Sequence, residues 1–244
     1  KRPVILAGNG IRISGAKELL FELLNLTSIP TVTSFLGCDL LPTQFESFIG
    51  HPGTIGNRSG NFAVQNSDFL LCIGTRNNIR QISYNWKTFA RAAVKVVVDI
   101  DPAELRKPTL IPDLGICCDA SFFIKSLIQK ISHSKIPDWS EWLNWNKIRK
   151  NKYSAFLPEY KFSKEFVHPY YFIHALSGLL TNDDIIVTGN ATPSIVFYQV
   201  GIIKENQRVI WNSGCASMGY DLPAAIGASI ATGRKKRVIC LAGD

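Results

Sequence analysis

The 244-residue sequence lacks several features that would assign its class at once. No apolar run reaches the ~18 residues that a membrane-spanning helix needs, so we expect no membrane segment and no membrane partner. The apolar stretch after Lys1 and Arg2 is too short for a signal peptide and predicts a first β-strand instead. The sequence also contains no internal repeat and no low-complexity tract.

The cysteines form neither a C-x-x-C pair nor a spacing typical of zinc sites. We therefore expect no disulfide framework and a reducing, cytoplasmic setting. Cys72 and Cys240 lie within apolar strand patterns, and we predict that both are small core residues.

The net charge is +8, but the basic residues are scattered apart from clusters at 147–152 and 234–237. The sequence lacks the repeated basic and aromatic pattern of a nucleic-acid binder, so we expect no nucleic-acid partner. The charge favours solvated faces and the binding of anionic cofactors. A hydrophobic content of 46% and a charged content of 19% are typical of a globular protein with a sizeable core.

Two stretches of the chain alternate apolar strands with helices, separated by a tryptophan- and lysine-rich stretch at 133–164. This alternation predicts an α/β fold with parallel sheets covered by helices on both faces. We predict a first α/β domain at 1–155 and a second, incomplete α/β domain at 156–244. Strands are expected at 4–7, 30–34, 69–73, 94–100, 115–118, 185–188, 209–211 and 237–242, helices at 15–24, 120–131, 168–180 and 219–231, and a loop-rich stretch at 35–60.

Three motifs of the first half follow predicted strands. Gly8-Asn9-Gly10 resembles the start of a dinucleotide fingerprint, but Ile13 stands where the third glycine belongs, so a simple tight turn is an equal reading. Arg76 and Arg80 would share a face if their segment is helical, and arginine forks bind phosphates; surface arginines at a helix start are the alternative. Asp99 can accept hydrogen bonds from a ribose, although a turn role for Asp101 is equally compatible.

The second half carries the most specific stretch, at 213–228. A loop that contains Cys215, Ala216, Ser217 and Met218 enters a helix of small residues, which permits close packing against a sheet or a partner. The last residues predict a buried strand that runs into a Gly-Asp pair, where the glycine admits a phosphate and the carboxylate holds a hard cation. We expect from this end that the chain is a piece of a larger enzyme, interrupted inside a cofactor site.

The stretch 213–228, followed by a strand and Gly243-Asp244, resembles thiamine-diphosphate-dependent enzymes of the acetolactate synthase type. The first half resembles the central nucleotide-binding domain of these enzymes, and the resemblance covers nearly the whole chain. The motifs that carry it are Gly50-His51-Pro52-Gly53, the stretch 61–68, Gly74-Thr75-Arg76 and the stretch 98–104.

The resemblance implies roles for residues of the second half. It makes Asp244 the first ligand of Mg²⁺ on the diphosphate, beside Gly243. It places Met218 under the thiazolium and pyrimidine rings, and it makes the Ala216 carbonyl the acceptor for the pyrimidine 4′-amino group, which can then remove the thiazolium proton. The loop that touches the diphosphate comprises Gly189, Asn190, Thr192 and Pro193, and relatives often carry Gln and His at the last two positions.

For the first half, the resemblance implies a bound FAD, or ADP in some relatives. Acetolactate synthases often carry Asp at the position of Asn78. The matching positions are Gly8, Gly10, Ser34, Phe35, Gly50, His51, Gly74, Arg76, Asn78, Arg80, Asp99, Ile100 and Asp119.

The implied function is a carboligase or decarboxylase, a transferase or lyase that acts on pyruvate or a similar 2-oxo acid and works as a homodimer or homotetramer. The glutamate that protonates the pyrimidine would lie outside this sequence, so we expect the isolated chain to be inactive. The alternative is a non-catalytic FAD-, ADP- or NAD-binding module, similar to the NAD domains of sirtuins or deoxyhypusine synthase. Only residues 1 to about 135 support it, and the motifs of the second half argue against it.

Overall fold

A computed structural model describes residues 1–243. The strands of this range are β1 (Pro3–Ala7), β2 (Thr31–Thr33), β3 (Phe48–Gly50), β4 (Phe69–Ile73), β5 (Val94–Asp99), β6 (Leu114–Cys117), β7 (Ile185–Thr188), β8 (Arg208–Ile210) and β9 (Val238–Leu241). The α-helices are α1 (Gly10–Ile13), α2 (Lys17–Thr27), α3 (Arg58–Asn66), α4 (Ile79–Ile82), α5 (Ala120–Ile131), α6 (Ser140–Lys152), α7 (Pro169–Leu179), α8 (Thr192–Val200) and α9 (Asp221–Ala231).

The chain divides into two compact units. Among the described residues, unit 1 comprises 1–40 and 45–154, and unit 2 comprises 41–44 and 155–243. The short segment 41–44 belongs to unit 2, where the Thr43 amide donates to the Ile203 carbonyl at 2.9 Å and the Ile203 amide donates to Thr43 Oγ1 at 2.8 Å.

Unit 1 contains a six-stranded parallel sheet in the order β3-β2-β1-β4-β5-β6. The parallel sheet expected from the continuous apolar strands is therefore confirmed. The strand order reverses between β1 and β4, and in open parallel sheets ligands bind beyond the carboxyl ends of the strands at such a switch point. The expectation of a loop-rich stretch at 35–60 was wrong in part, because β3 and the start of α3 lie there. A strand of three residues is too short to produce a readable periodicity.

The tryptophan-rich helix α6 packs on the core of unit 1. Trp142 and Leu143 are buried in the same apolar cluster as the residues of β1 and β4. The indole of Trp142 donates to the Pro3 carbonyl at 2.9 Å, so it fixes α6 to the first strand of the sheet.

Unit 2 contains a three-stranded parallel sheet in the order β8-β7-β9. The small residues of α9 lie against this sheet, with Ala225 in one cluster with Ile185 and Val187. The predicted core position of Cys240 is wrong: β9 is an edge strand of the described sheet, and Cys240 is exposed. Cys72 is buried as predicted, and burial raises the pKa of its thiol to about 12.

The stretch 189–194, expected as a loop, enters α8 at Thr192. Pro193 lies in the first turn of this helix, where the missing N–H of proline breaks no helical hydrogen bond. Within residues 1–243, no helix combines the length and the apolar character needed to cross a membrane.

Candidate functional site

The positions that the sequence predicts for a nucleotide in unit 1 gather at one edge of its sheet. Because all strands are parallel, their carboxyl ends lie on the same side, and each predicted position lies at or soon after one of those ends. Gly8 and Gly10 follow β1, Ser34 and Phe35 follow β2, Gly50 ends β3 before His51, Gly74 to Arg80 follow β4, Asp99 ends β5 before Ile100, and Asp119 follows β6.

The loops after β1 and β4 touch through their backbones at the switch point. The Gly10 amide donates to the Gly74 carbonyl at 2.9 Å, and the Gly8 amide donates to the Ile73 carbonyl at 2.9 Å. A Cβ on Gly8 would lie 2.1 Å from the Gly74 carbonyl oxygen, and a Cβ on Gly10 would lie 2.7 Å from the Gly74 Cα. Gly74 has a φ of +59°. The glycines are therefore required by direct contact between the two loops.

Arg76 lies just after the contact between the two loops, and its side chain forms an ion pair with Glu104 of the loop after β5. Arg76 Nε donates to Glu104 Oε1 at 2.9 Å, while Lys107 Nζ donates to Glu104 Oε2 at 2.7 Å and also contacts the Arg76 carbonyl. Partial burial opposes ionisation of Glu104, but the hydrogen bonds from Lys107 and Arg76 outweigh it and hold the pKa of Glu104 below its usual value.

Arg76 and Arg80 do not share a helical face, because α4 begins only at Ile79. Asn78 is the N-cap of this helix, and its side-chain oxygen accepts from the Arg80 amide at 3.1 Å and the Gln81 amide at 3.3 Å. This role satisfies donors that the first helical turn leaves open. The structure thus places Asn78 as a local cap between the two arginines.

His51 is buried, with 5% of its surface exposed. Its Nδ1 lies 2.9 Å from Thr33 Oγ1. Burial lowers the pKa of His51 to about 3, against an opposing hydrogen bond at Thr33, and the nearby Lys150 ammonium adds to the lowering. The imidazole is therefore neutral at physiological pH, and its contact with Thr33 links the residue after β3 to the end of β2.

The remaining acidic positions of this edge take local turn and cap roles. Asp99 Oδ1 accepts from the Asp101 amide at 3.0 Å, and Asp101 Oδ1 accepts from the Ala103 amide at 2.8 Å. Asp119 is the N-cap of α5 and accepts from the Ser121 amide at 2.8 Å. Ile100, between the two aspartates, is 69% exposed, which leaves an apolar surface at the edge.

The predicted residues of unit 2 that the structure describes lie at or near the carboxyl ends of β7 and β9, which are neighbours in the sheet. The Gly189 amide donates to the Leu241 carbonyl at 2.8 Å. Asn190 Nδ2 donates to the Ser217 carbonyl at 2.7 Å, so this side chain ties the loop 213–219 to the end of β7. Asn212 Nδ2 donates to Ser217 Oγ at 3.2 Å and holds the same loop from its other side.

The loop 213–219 presents its apolar side chain outward. Met218 is 97% exposed, and Ala216 has a φ of +53°, a conformation that favours glycine. Gly214, Gly219 and Gly243 have no atom within 4 Å of the position where a Cβ would stand. Thr192 and Pro193 form the first turn of α8, whose N-cap Ala191 offers no side-chain hydrogen bond.

The predicted metal ligand Asp244 lies outside the described residues, and those that are described contain no cluster of three His, Cys, Asp or Glu side chains suited to a metal. The sequence reasoning missed the roles of Glu104, Lys107 and Asp221. Glu104 and Lys107 are three residues apart, a spacing that signals a local ion pair. Asp221 is buried beside Gly189, where a Cβ would lie 3.0 Å from its Oδ2, and no local pattern indicates that contact.

Comparison with known families gives two matches along the chain. Residues 1–127 match the family described as "Thiamine pyrophosphate enzyme, central domain". Residues 189–244 match the family described as "Thiamine pyrophosphate enzyme, C-terminal TPP binding domain".

Similar curated proteins bear related names. The chain is 30% identical over 261 residues to a "Probable acetolactate synthase large subunit" of Methanococcus aeolicus, covering 100% of this chain and 42% of that protein. It is 32% identical over 231 residues to "Acetolactate synthase 1, chloroplastic" of Zea mays, covering 95% of this chain and 36% of that protein. It is 31% identical over 245 residues to the "Acetolactate synthase large subunit" of Lactococcus lactis, covering 100% and 41%. The chain thus spans about two fifths of the length of these relatives.

Proposed function

The chain belongs to the thiamine pyrophosphate enzyme family, and we propose that its protein is a thiamine-diphosphate-dependent carboligase or 2-oxo-acid decarboxylase of the acetolactate synthase type. The observation that carries this proposal is the hydrogen bond from Asn190 to Ser217, which joins the end of β7 to the loop of Met218. The proposed substrate is pyruvate or a similar 2-oxo acid. A homo-oligomer in the cytoplasm is part of the same proposal.

The carboxyl edge of the unit 2 sheet fits a diphosphate with an attached ring system. Gly189 and Gly243 offer backbone without side chains, and the nine-residue helix α8 begins there without a side-chain cap. A helix N-terminus favours negative charge, and its open N–H groups can donate to phosphate oxygens. The exposed Met218 offers an apolar platform beside this end. Asp244 is proposed as a Mg²⁺ ligand on the resemblance of the Gly-Asp pair alone.

The chain's own residues would bind and orient the cofactor. Thiamine diphosphate, when bound, supplies the electron sink that decarboxylation of a 2-oxo acid requires. Asn190 would hold the loop 213–219 in place, Met218 would support the rings, and the Ala216 carbonyl would orient the pyrimidine amino group.

In unit 1, we propose an FAD or ADP site at the switch point between β1 and β4. Arg76 would contact phosphate oxygens, and the exposed Ile100 would contact a flat ring. A purely nucleotide-binding module is the second candidate, and the arginine at the carboxyl edge of the first sheet is the observation that favours it.

Calorimetry on the full-length protein tests the thiamine diphosphate site. We expect Met218→Ala to weaken Mg²⁺-dependent binding of thiamine diphosphate by about tenfold, since burial of a methionine stabilises by roughly 1.5 kcal/mol or more. Met218→Leu keeps the apolar bulk and should bind nearly as wild type. Ile230→Ala, which removes an exposed apolar side chain at the far end of α9, is the matched control.

Asp244→Ala should abolish Mg²⁺-dependent binding in the same assay, because a hard carboxylate is needed to hold Mg²⁺ on a diphosphate. Unchanged binding by this variant and by Met218→Ala would show that the cofactor site lies elsewhere. The second candidate predicts a different result: FAD or ADP binds, while thiamine diphosphate does not bind to the full-length protein under any Mg²⁺ concentration.

The nucleotide site is tested by titration with FAD and ADP. Removing the charge-assisted contact in Arg76→Ala should cost roughly 1.5–3 kcal/mol, about ten- to a hundredfold in affinity. If the wild-type protein purifies without nucleotide and binds neither FAD, ADP nor NAD, this part of the proposal is wrong.

A further inference from the structure

Glu104 and Lys107 lie on the loop that follows β5, and together they hold Arg76, which follows β4. We call this pair of residues the clamp. The Glu104 side chain is only 15% exposed, whereas that of Arg76 is 78% exposed. One carboxylate oxygen of Glu104 accepts from Arg76 Nε at 2.9 Å, and the other accepts from Lys107 Nζ at 2.7 Å. Lys107 Nζ also contacts the Arg76 carbonyl, so the clamp holds both the backbone and the side chain of Arg76.

Glu104 binds only one of the three guanidinium nitrogens of Arg76, and this determines which of them can still bind a ligand. Glu104 engages Arg76 through Nε, and among the described residues the two terminal nitrogens of the guanidinium have no partner. A guanidinium donates to phosphate through two parallel N–H groups, and its terminal pair is suited to this contact. A long arginine side chain at 78% exposure would otherwise sample many rotamers before it met a ligand.

The charge of Glu104 opposes any direct role at a phosphate. A carboxylate next to an anion site repels the ligand, and the ammonium group of Lys107 opposes that repulsion. A benefit to nucleotide binding must therefore come from the orientation of Arg76 and must exceed the electrostatic penalty.

We propose that Glu104 is a positioning residue that directs the terminal nitrogens of Arg76 toward the phosphates of a nucleotide bound at the β1–β4 switch point. This inference rests on the nucleotide site proposed for unit 1. It assigns to Glu104 and Lys107 a role in ligand affinity that acts through Arg76.

The direction in which Glu104→Ala changes nucleotide affinity shows whether Glu104 acts by orienting Arg76 or by its own charge. Glu104→Ala removes a negative charge near the site, so an effect of charge alone would tighten the binding of ADP and FAD. Loss of orientation would weaken it, and we expect affinities about fivefold lower, within the range of coupled neighbours. Glu104→Gln keeps an oxygen for Arg76 Nε without the charge, and we expect its affinity to remain within about twofold of wild type or above it.

A double-mutant cycle with Arg76→Ala tests whether Glu104 acts through the arginine. In the Arg76→Ala background, Glu104→Ala should no longer weaken ADP binding and should leave it equal or slightly tighter. The control is Asp113→Ala, which removes an ion pair with Lys95 at the opposite, amino end of the strands. It should leave ADP and FAD affinity unchanged.

The titrations use ADP and FAD with the full-length protein, and thermal unfolding checks that each variant is folded. If wild type binds while Glu104→Ala binds equally well or more tightly, the positioning role is wrong and the nucleotide site stands. An equal loss in wild-type and Arg76→Ala backgrounds would also overturn it. If wild type binds neither ligand, the nucleotide site itself fails, and the positioning role fails with it. Should Glu104→Ala not fold, a clear loss of affinity in Glu104→Gln would contradict the inference.

Discussion

The two units build their sheet edges in opposite ways. In unit 1 the glycines after β1 and β4 lie in direct backbone contact, so that a Cβ on Gly8 would lie 2.1 Å from the Gly74 carbonyl oxygen. In unit 2, Gly214, Gly219 and Gly243 have no atom within 4 Å of an added Cβ. The loop 213–219 is held to β7 by the side chain of Asn190.

This difference shows that the same residue type serves two physical purposes. At the unit 1 edge, glycine permits two loops to touch, which fixes their shape before any ligand arrives. At the unit 2 edge, Gly214, Gly219 and Gly243 leave space, whereas Gly189 lies close to Asp221. Side-chain hydrogen bonds from Asn190 and Asn212 hold the loop 213–219. We therefore expect the unit 1 edge to be sensitive to added volume and Gly214, in the loop at the unit 2 edge, to tolerate it.

The largest expected effect comes from Gly8→Ala. The added methyl group would overlap backbone atoms of Gly74, and we expect a loss of about 3 kcal/mol or more in the stability of unit 1. Gly214→Ala adds the same group to open space and should change stability by less than about 0.5 kcal/mol. Hydrogen–deuterium exchange, resolved by peptide, measures the two units separately. Equal losses in both variants would contradict the comparison.

As the pH falls, unit 1 should lose stability at a higher pH than unit 2, because His51 is buried in its neutral form. The folded pKa is about 3, whereas the unfolded imidazole has a pKa of roughly 6.5, so below that value the unfolded state binds a proton that the folded state excludes. Stability is then lost as pH falls from about 6.5 toward 3, by about 2 kcal/mol at pH 5. Lys150, whose pKa burial lowers to about 8, stays charged throughout this window.

Urea unfolding between pH 7 and pH 4 measures this slope, and His51→Gln should flatten it. The exposed His133 provides the control, since His133→Gln should leave the slope as in wild type. A wild-type slope that survives in His51→Gln would place the acid sensitivity in another group.

Unit 2 should respond to acid in a lower range, through Asp184. The paired hydrogen bonds from Arg237 lower the pKa of Asp184 to about 2, against partial desolvation, with a further contribution from the Thr181 amide. A depressed carboxylate pKa stabilises the fold above the unfolded value of 3.8, and this stability is lost as pH falls through about 2.

Asp184→Asn keeps an acceptor for Thr181 but loses the charge-assisted pair, and we expect unit 2 to lose about 1.5 kcal/mol at pH 7. Asp183→Asn is a matched control on the neighbouring exposed residue, whose ion pair with Lys236 should contribute little. Exchange in the peptides of β7 and β9 reports the difference, and equal effects of the two variants would contradict it.

The smallest expected effect is an increase in the stability of unit 2, from the substitution Ala191→Gly. Ala191 has a φ of +57° and a ψ of −127°, a region that glycine occupies without strain. Ala191→Gly should stabilise unit 2 by about 0.5 kcal/mol, after the entropy of the unfolded glycine is subtracted. Ala228→Gly, inside α9, should instead destabilise it by about 1 kcal/mol. Thermal unfolding of the two variants should move in opposite directions.

The sequence by itself determined the elements whose apolar pattern is continuous and bounded. The predicted bounds of β4, β7 and α5 agree with the structure, because a run such as Phe69–Ile73 ends at a glycine and the helix of Ala120–Ile131 starts after an aspartate cap. It also determined the family, since the motifs of both halves occur in the order that the matches at 1–127 and 189–244 require.

Only the tertiary structure decided how distant segments meet. The strand order of each sheet, the burial of His51 against Thr33, the exposure of Cys240 and the assignment of 41–44 to unit 2 depend on partners far away in sequence. The same holds for Glu104, whose bond to Arg76 spans 28 positions. Local periodicity reports which face of an element is apolar, but not which remote side chain meets it. Those pairings arise when packing closes the chain, and they set the geometry of both proposed sites.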